Sequence, residues 1–289
     1  MLGPPWSPPR LVREPPDGLV LFWNLLPKLF AIGSFYLPTY GVLVALGFLA
    51  GLSVAVRLGR RSGLPAEPLT NLAVYVALAG LAGAKILMIV FDWGEYRKDL
   101  SAIFSLSTLQ AAGVYQGGLI LALVTAYLYM KKQGLPLLET ADAFAPGVAL
   151  GHAIGRLGCL AAGCCYGIAT KLPWAITFHN PEAQSLSGTP LDTPLHPTQL
   201  YEFGTEGLLC LFLYWRFGKP HQPGRILGQF LVISSGFRFL IEFFRFHEQG
   251  LPFGLPLSIT QWIALGIALA GVALLVTPAS PKQVPAAAH

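Results

Sequence analysis

The sequence predicts an all-α, polytopic integral membrane protein with seven transmembrane helices and a small extracytoplasmic subdomain. Three observations carry this. Of 289 residues, 54% are hydrophobic and only 11% charged, against about 25% charged in a soluble domain. The apolar residues come in continuous blocks close to the ~20 residues that span a hydrocarbon core, and the mean hydropathy is +0.57. The segments between blocks alternate in charge. The abundance of Leu, Val, Ile and Phe excludes a disordered chain. Continuous rather than alternating apolar runs exclude a transmembrane β-barrel. The net charge of +5 calls for no nucleic-acid partner, because cytoplasmic loops of membrane proteins gather Lys and Arg.

Taken in order, the blocks are 37–56, 69–91, 114–130, 140–162, 199–215, 226–244 and 259–276. The fourth and sixth hold charges and are weaker by hydropathy alone. The connections at 57–68, 131–139 and 216–225 are net +2, +1 and +3, whereas 92–113 and 166–198 are each net −1. Seven spans with the N-terminus outside and the C-terminus in the cytoplasm satisfy the positive-inside rule throughout. Residues 1–28 read as a Pro-rich arm, with six Pro in the first sixteen positions and no signal-peptide pattern. Residues 29–277 form the membrane domain and 278–289 a cytoplasmic tail. Segment 95–112 is expected to lie on the outer surface as one amphipathic helix, and 166–198 to form an external head region.

Ionisable groups inside a span cost about 2.5–3.5 kcal/mol each on insertion scales, so they default to functional or paired roles. Here they are Lys85, Asp142, His152, Arg156, Glu202, Glu206, Arg238 and Glu242. His152, Arg156 and Cys159 follow i, i+4, i+7 and share one helix face, and Arg238 and Glu242 are i, i+4. By charge and depth the outer halves of spans four, five and six converge on a cationic pocket suited to an anionic headgroup. An Arg–Glu pair can also serve only to lock helices together, and a lone His can simply bond a backbone carbonyl.

Four cysteines make no disulfide scaffold. Cys159, Cys164 and Cys165 lack C-x-x-C spacing, so no metal is expected and they read as small packing residues beside Gly155, Gly158 and Gly163. A disulfide is the alternative in an oxidising compartment. The same tract has no P-loop lysine, so no nucleotide or other cofactor is implied.

Several runs, in order, resemble the prolipoprotein diacylglyceryl transferases. They are Tyr40-Gly41, Gly117-Gly118-Leu119, Ala141-Asp142 before Pro146, Gly155-Arg156-Leu157-Gly158 running to Gly167, His196-Pro197-Thr198-Gln199-Leu200-Tyr201-Glu202, and Phe237-Arg238 with Ile241-Glu242-Phe243-Phe244-Arg245. The resemblance implies an enzyme of the bacterial cytoplasmic (inner) membrane acting in the first step of lipoprotein maturation. Such an enzyme moves the diacylglyceryl group of phosphatidylglycerol to the lipobox cysteine of a prolipoprotein, forming a thioether and releasing glycerol 1-phosphate. A departing phosphate is better held by a planar guanidinium than by a Lys point charge. Arg156 and Arg238 are therefore the catalytic candidates, with Glu242 orienting Arg238 and with His196 and Glu202 as outer-side proton acceptors. The resemblance also places Tyr40, Gln116, Asp142, Cys159, Gly167, Gln199, Tyr201 and Arg245 at the phosphatidylglycerol site.

The sequence departs from the family pattern at five positions. Cys159 stands where many members carry Asn, and Ala162 and Cys164 replace further Asn and acidic residues. Gln116 stands where a His or Tyr often precedes Gly-Gly-Leu, and Ser234 replaces a Tyr before Gly-Phe-Arg. Neither Gln116 nor Ser234 can act as a base. The competing readings are a diverged relative with another acceptor or none, and an anion-handling transporter.

Overall fold

The computed structural model describes residues 27–32, 35–105, 108, 113–245 and 257–277. The arm at 1–26 and the tail at 278–289 lie outside the described residues. The first element is an antiparallel hairpin of β1 (Lys28–Ile32) and β2 (Phe35–Pro38), with Phe30 opposite Leu37 and an irregularity after Lys28. This small hairpin departs from the all-α expectation. Two four-to-five-residue apolar runs flanking Gly33-Ser34 are a hairpin signal that a twenty-residue apolar window averages away.

Helices follow: α1 (Thr39–Arg61), α2 (Ala66–Phe91), α3 (Trp93–Tyr96), α4 (Tyr115–Gln133), α5 (Leu137–Ala162), α6 (Pro181–Ser187), α7 (Thr198–Phe217), α8 (Arg225–Ile241) and α9 (Ile259–Val276). Each of the seven apolar blocks coincides with a helix. The helix ends differ where charge misleads hydropathy. α1 runs past the first block through Arg57 to Arg61, because Arg60 and Arg61 complement the negative end of the helix dipole.

Among the described residues, five helices are long and apolar enough to cross a membrane: α1, α2, α5, α8 with its 3-10 extension to Phe244, and α9. α4 and α7 are of similar length, 19 and 20 residues, but more polar. α4 closes on Lys131 and Lys132, and α7 carries Glu202 and Glu206. Large apolar side chains point outward along the long helices. Leu81 is 69%, Leu211 67% and Leu269 70% exposed, a surface suited to lipid rather than water. The chain is an integral membrane protein.

Segment 95–112 is not the single helix expected. The structure breaks it into α3, which ends at Tyr96, and a 3-10 turn at Leu100–Phe104, with 106–107 and 109–112 outside the described residues. Asp99 is responsible: its carboxylate caps the new turn by accepting from Ser101 N (2.9 Å) and Ser101 Oγ (2.6 Å).

The chain divides into two compact units. One comprises Phe48–Gly151, Gly207–Ser234 and Ile267–His289. Its core is Leu58, Ala143, Ala149, Leu209, Leu213 and Ile226, with a second cluster around Leu69 and Met130. Glycines set the helix spacing here. A Cβ on Gly51 would strike the Gly147 carbonyl, and one on Gly83 would strike that of Gly117, so α1–α5 and α2–α4 meet backbone to backbone. Lys85 donates to Thr108 O at 2.7 Å.

The other unit comprises Met1–Gly47, His152–Glu206 and Ser235–Gly266. Residues 166–198 fold within it around Leu160, Ile176, Phe178 and Leu195. Isolated bridges tie Ala169 and Ile176 to Leu195 and tie Gly167 to Arg245. Lys28 of the hairpin pairs with Glu182 of α6.

Candidate active site

Six of the eight intramembrane ionisable residues, His152, Arg156, Glu202, Glu206, Arg238 and Glu242, fall in the second of these units. On α5 the i, i+4, i+7 spacing brings His152, Arg156 and Cys159 into line. Arg156 Nε donates to His152 Nε2 at 3.0 Å, and Arg156 Nη1 approaches Cys159 Sγ at 3.8 Å. His152 Nδ1 lies 3.4 Å from Glu206 Oε1.

Buried Glu202 on α7 is the hub. Its Oε2 lies 2.6 Å from Arg156 Nε, and its Oε1 accepts from Arg238 Nη1 at 3.1 Å and Arg245 Nη1 at 3.3 Å. Arg238 is shared, because its Nη2 lies 2.9 Å from Glu242 Oε2 at i, i+4. Glu242 is braced in turn by Ser258 Oγ at 3.1 Å. Ser258 and Gln261 form a capping box that opens α9: Ser258 N donates to Gln261 Oε1 (2.9 Å) and Gln261 N to Ser258 Oγ (3.2 Å). Sequence reasoning passed over this brace, although S-I-T-Q before an apolar block is a legible capping-box signal.

A second set of contacts holds the turn after α5. Gln199 Nε2 donates to Cys164 O at 2.7 Å, and Thr198 Oγ1 donates to Cys165 O at 2.6 Å. Tyr201 OH accepts from Trp174 Nε1 at 2.8 Å and lies within hydrogen-bond distance of His196 Nδ1, 3.1 Å away. Burial pushes the His196 imidazole below its ordinary pKa. Being favoured neutral in the fold, it costs stability as pH falls below the unfolded value of about 6.5.

Of the residues expected at the site, the structure gathers Arg156, Arg238, Glu242, Glu202 and Arg245 into one network, with Cys159 on its edge. Tyr40 lies against Gly158, where a Cβ would stand 3.1 Å from its ring. Gln199, Tyr201 and His196 buttress the site rather than join the ion pairs. Asp142 and Gln116 belong to the other unit. The two oxygens of Asp142 accept Gly224 N and Leu227 N, each at 2.7 Å, capping the start of α8. An intramembrane acid defaulted to function in the sequence, because its partners lie more than eighty residues away. Gln116 is exposed at the start of α4.

Gly167 is a steric requirement. Its N–H donates to His196 O at 3.0 Å, and a Cβ there would strike the Phe244 carbonyl and stand 2.6 Å from His196 Cβ. Gly167→Ala is expected to cost about 1–3 kcal/mol of stability, with activity falling only as the folded fraction falls. Thermal unfolding and turnover on one detergent-purified sample check this.

A family model for prolipoprotein diacylglyceryl transferase matches residues 27–277. The chain belongs to the prolipoprotein diacylglyceryl transferase family. It is 32% identical to the phosphatidylglycerol–prolipoprotein diacylglyceryl transferase of Clostridium tetani (strain Massachusetts / E88), over 85% of this chain and 95% of that protein. It is 34% identical to the second such transferase of Clostridium perfringens (strain 13 / Type A), over 82% of this chain and 89% of that one. The corresponding protein of Vibrio cholerae (serotype O1, strain O395) is 32% identical over 90% of this chain and 94% of its own.

In this family member, Arg156, Arg238 and Arg245 share the buried carboxylates of Glu202 and Glu242.

Proposed function

We infer that this protein transfers the diacylglyceryl group of phosphatidylglycerol to the cysteine thiol of prolipoproteins, releasing glycerol 1-phosphate. The observation that supports this most is the gathering of Arg156, Arg238 and Arg245 on the single buried carboxylate of Glu202, in a chain of this family. Arg156 and Arg238 bind the phosphate and stabilise it as it leaves. Glu202 and Glu242 aim them. Phosphatidylglycerol enters from the bilayer, and the lipobox segment of the prolipoprotein supplies the thiol. Expression in a cell depleted of its own transferase tests this: the lipoprotein band is expected to shift to the lipidated position and growth to return. A folded, membrane-inserted protein that restores neither would reject it.

The reading extends to topology. α4 and α7 join the five more apolar helices to make seven spans, with the N-terminus outside, the C-terminus in the cytoplasm, and 166–198 as an external head. The loop charges support this, with net +2, +1 and +3 at 57–68, 131–139 and 216–225. A cysteine introduced at exposed Gln184 is expected to react with a membrane-impermeant thiol reagent in intact cells, and one at Gln133 only after lysis. Reversed labelling would overturn the orientation.

A further inference from the structure

Cys159, Cys164 and Cys165 have no part in the ion-pair network beyond the approach of Arg156 to Cys159. Their spacing along the chain argues against a metal, yet their three Sγ atoms all lie within 4.8 Å of one another. The turn after α5 explains this. Gly163 N donates to Leu160 O and Cys164 N to Cys159 O, each at 3.1 Å, with Gly163 at φ +77°. That is a Schellman motif, which sets the side chain of the residue after the glycine beside the one five positions earlier. Here those two residues are Cys164 and Cys159. Cys165 completes the group by adopting φ +62°, a left-handed conformation unusual for a residue with a Cβ.

The surroundings over-determine this strained turn. Four successive carbonyls each accept a side-chain donor. Ser187 Oγ binds Ala162 O (3.2 Å), Thr189 Oγ1 binds Gly163 O (2.8 Å), Gln199 Nε2 binds Cys164 O (2.7 Å) and Thr198 Oγ1 binds Cys165 O (2.6 Å). Backbone strain held in place by its neighbours is characteristic of functional sites. What it positions here is three converging sulphurs, one buried and two half-buried.

We propose that Cys159, Cys164 and Cys165 form a three-thiolate site for a thiophilic divalent cation, zinc, whose fourth position is open to the acceptor cysteine of the prolipoprotein. Three protein ligands with an open position is the pattern of catalytic rather than structural zinc. Arg156 serves both halves of the site. Its Nε faces Glu202 at 2.6 Å and its Nη1 faces Cys159 Sγ at 3.8 Å. It thus offsets the single negative charge of a zinc trithiolate and sets that centre beside the phosphate-binding network. The assignment rests on the transferase reading for the identity of the fourth ligand, and it supplies what Gln116 and Ser234 cannot, a means of making the acceptor a thiolate. On coordination the acceptor S–H bond breaks and its proton goes to water. The thiolate electron pair then forms the C–S bond to the glyceryl carbon that carries the phosphate ester. The C–O bond breaks with its pair, leaving glycerol 1-phosphate as the dianion. No oxidant or reductant is needed.

The test uses the full chain purified in detergent. Zinc is measured by elemental analysis and then exchanged for cobalt, whose thiolate charge-transfer absorption reports each bound sulphur. The expected result is about one zinc per chain. Affinity falls at least about tenfold in Cys159→Ser, Cys164→Ser and Cys165→Ser and is unchanged in Cys210→Ser. The cobalt absorption is expected to grow when a lipobox peptide with cysteine is added, and not with its serine analogue. Chelator treatment of the unaltered protein removes the metal without a substitution and guards against variants that fail to fold. A folded protein that holds no more zinc than the triple serine variant would overturn the proposal. So would a cobalt spectrum indifferent to the cysteine peptide, or full-rate transfer after the zinc is removed. Full-rate transfer without zinc leaves the transferase reading standing. A protein that binds zinc and the peptide thiol but moves no lipid would sink the transferase reading and keep the metal site.

Discussion

Arg156→Ala is expected to lower diacylglyceryl transfer by about 10²–10³-fold, the scale seen when one preorganised donor to developing charge is removed, while the protein still folds and inserts. The two effects separate because Glu202 keeps Arg238 at 3.1 Å and Arg245 at 3.3 Å after Arg156 is gone, so no carboxylate is stranded. What is lost is a guanidinium that reaches both Glu202 and Cys159. Arg156→Lys should recover little, since an ammonium restores charge but not the fork that spans those two partners. The measurement is transfer in vesicles at matched protein levels, with thermal unfolding on the same samples. Near-normal turnover in the Ala variant would remove Arg156 from the mechanism.

Glu202→Gln is expected to fail in a different way, losing both stability and activity. The carboxylate is buried and faces three guanidiniums and His152 Nε2, the last at 3.7 Å. Breaking a buried ion pair by removing one partner costs about 3–5 kcal/mol. The amide keeps volume and one acceptor, which puts the expected loss near the lower figure. Arg156, Arg238 and Arg245 would then repel one another around a neutral side chain, and their aim at a phosphate would go with the fold. Glu242→Gln should be milder, because Arg238 and Arg245 keep Glu202. Unfolding temperature and turnover measured together distinguish the cases. A Glu202→Gln protein as stable and active as its parent would show that this carboxylate is not the hub.

These contrasts also show which parts of the molecule were legible from sequence. The helices were, because an apolar block of about twenty residues has few other uses. The i, i+4 pairs within α5 and α8 were as well, since helix periodicity alone brings Arg156 to His152 and Arg238 to Glu242. Contacts between helices were not. Nothing local says that Glu202 on α7 collects arginines from α5, α8 and the segment beyond α8, nor that Asp142 spends both oxygens on the first turn of α8. Gln199 and Tyr201 belong to a recognisable run, but their placement as braces for a turn and for His196 depends on partners 35 positions away in one case and on a ring hydrogen bond in the other. The cysteine cluster lay in between. Gly163 after an apolar helix marks a C-terminal cap, and that cap pairs Cys159 with Cys164. The left-handed turn at Cys165, which adds the third sulphur, has no sequence signature for a residue other than Gly, Asn or Asp.

This guanidinium cluster is expected to carry out diacylglyceryl transfer from phosphatidylglycerol. Its most direct test is the purified protein in vesicles of phosphatidylglycerol with a prolipoprotein substrate. The readouts are the mass of the acceptor and the glycerol 1-phosphate released. The expected result is one diacylglyceryl group added per acceptor cysteine, one glycerol 1-phosphate released per group, and no product when phosphatidylcholine replaces phosphatidylglycerol. An unmodified acceptor with folded protein, or product formed equally from phosphatidylcholine, would contradict it.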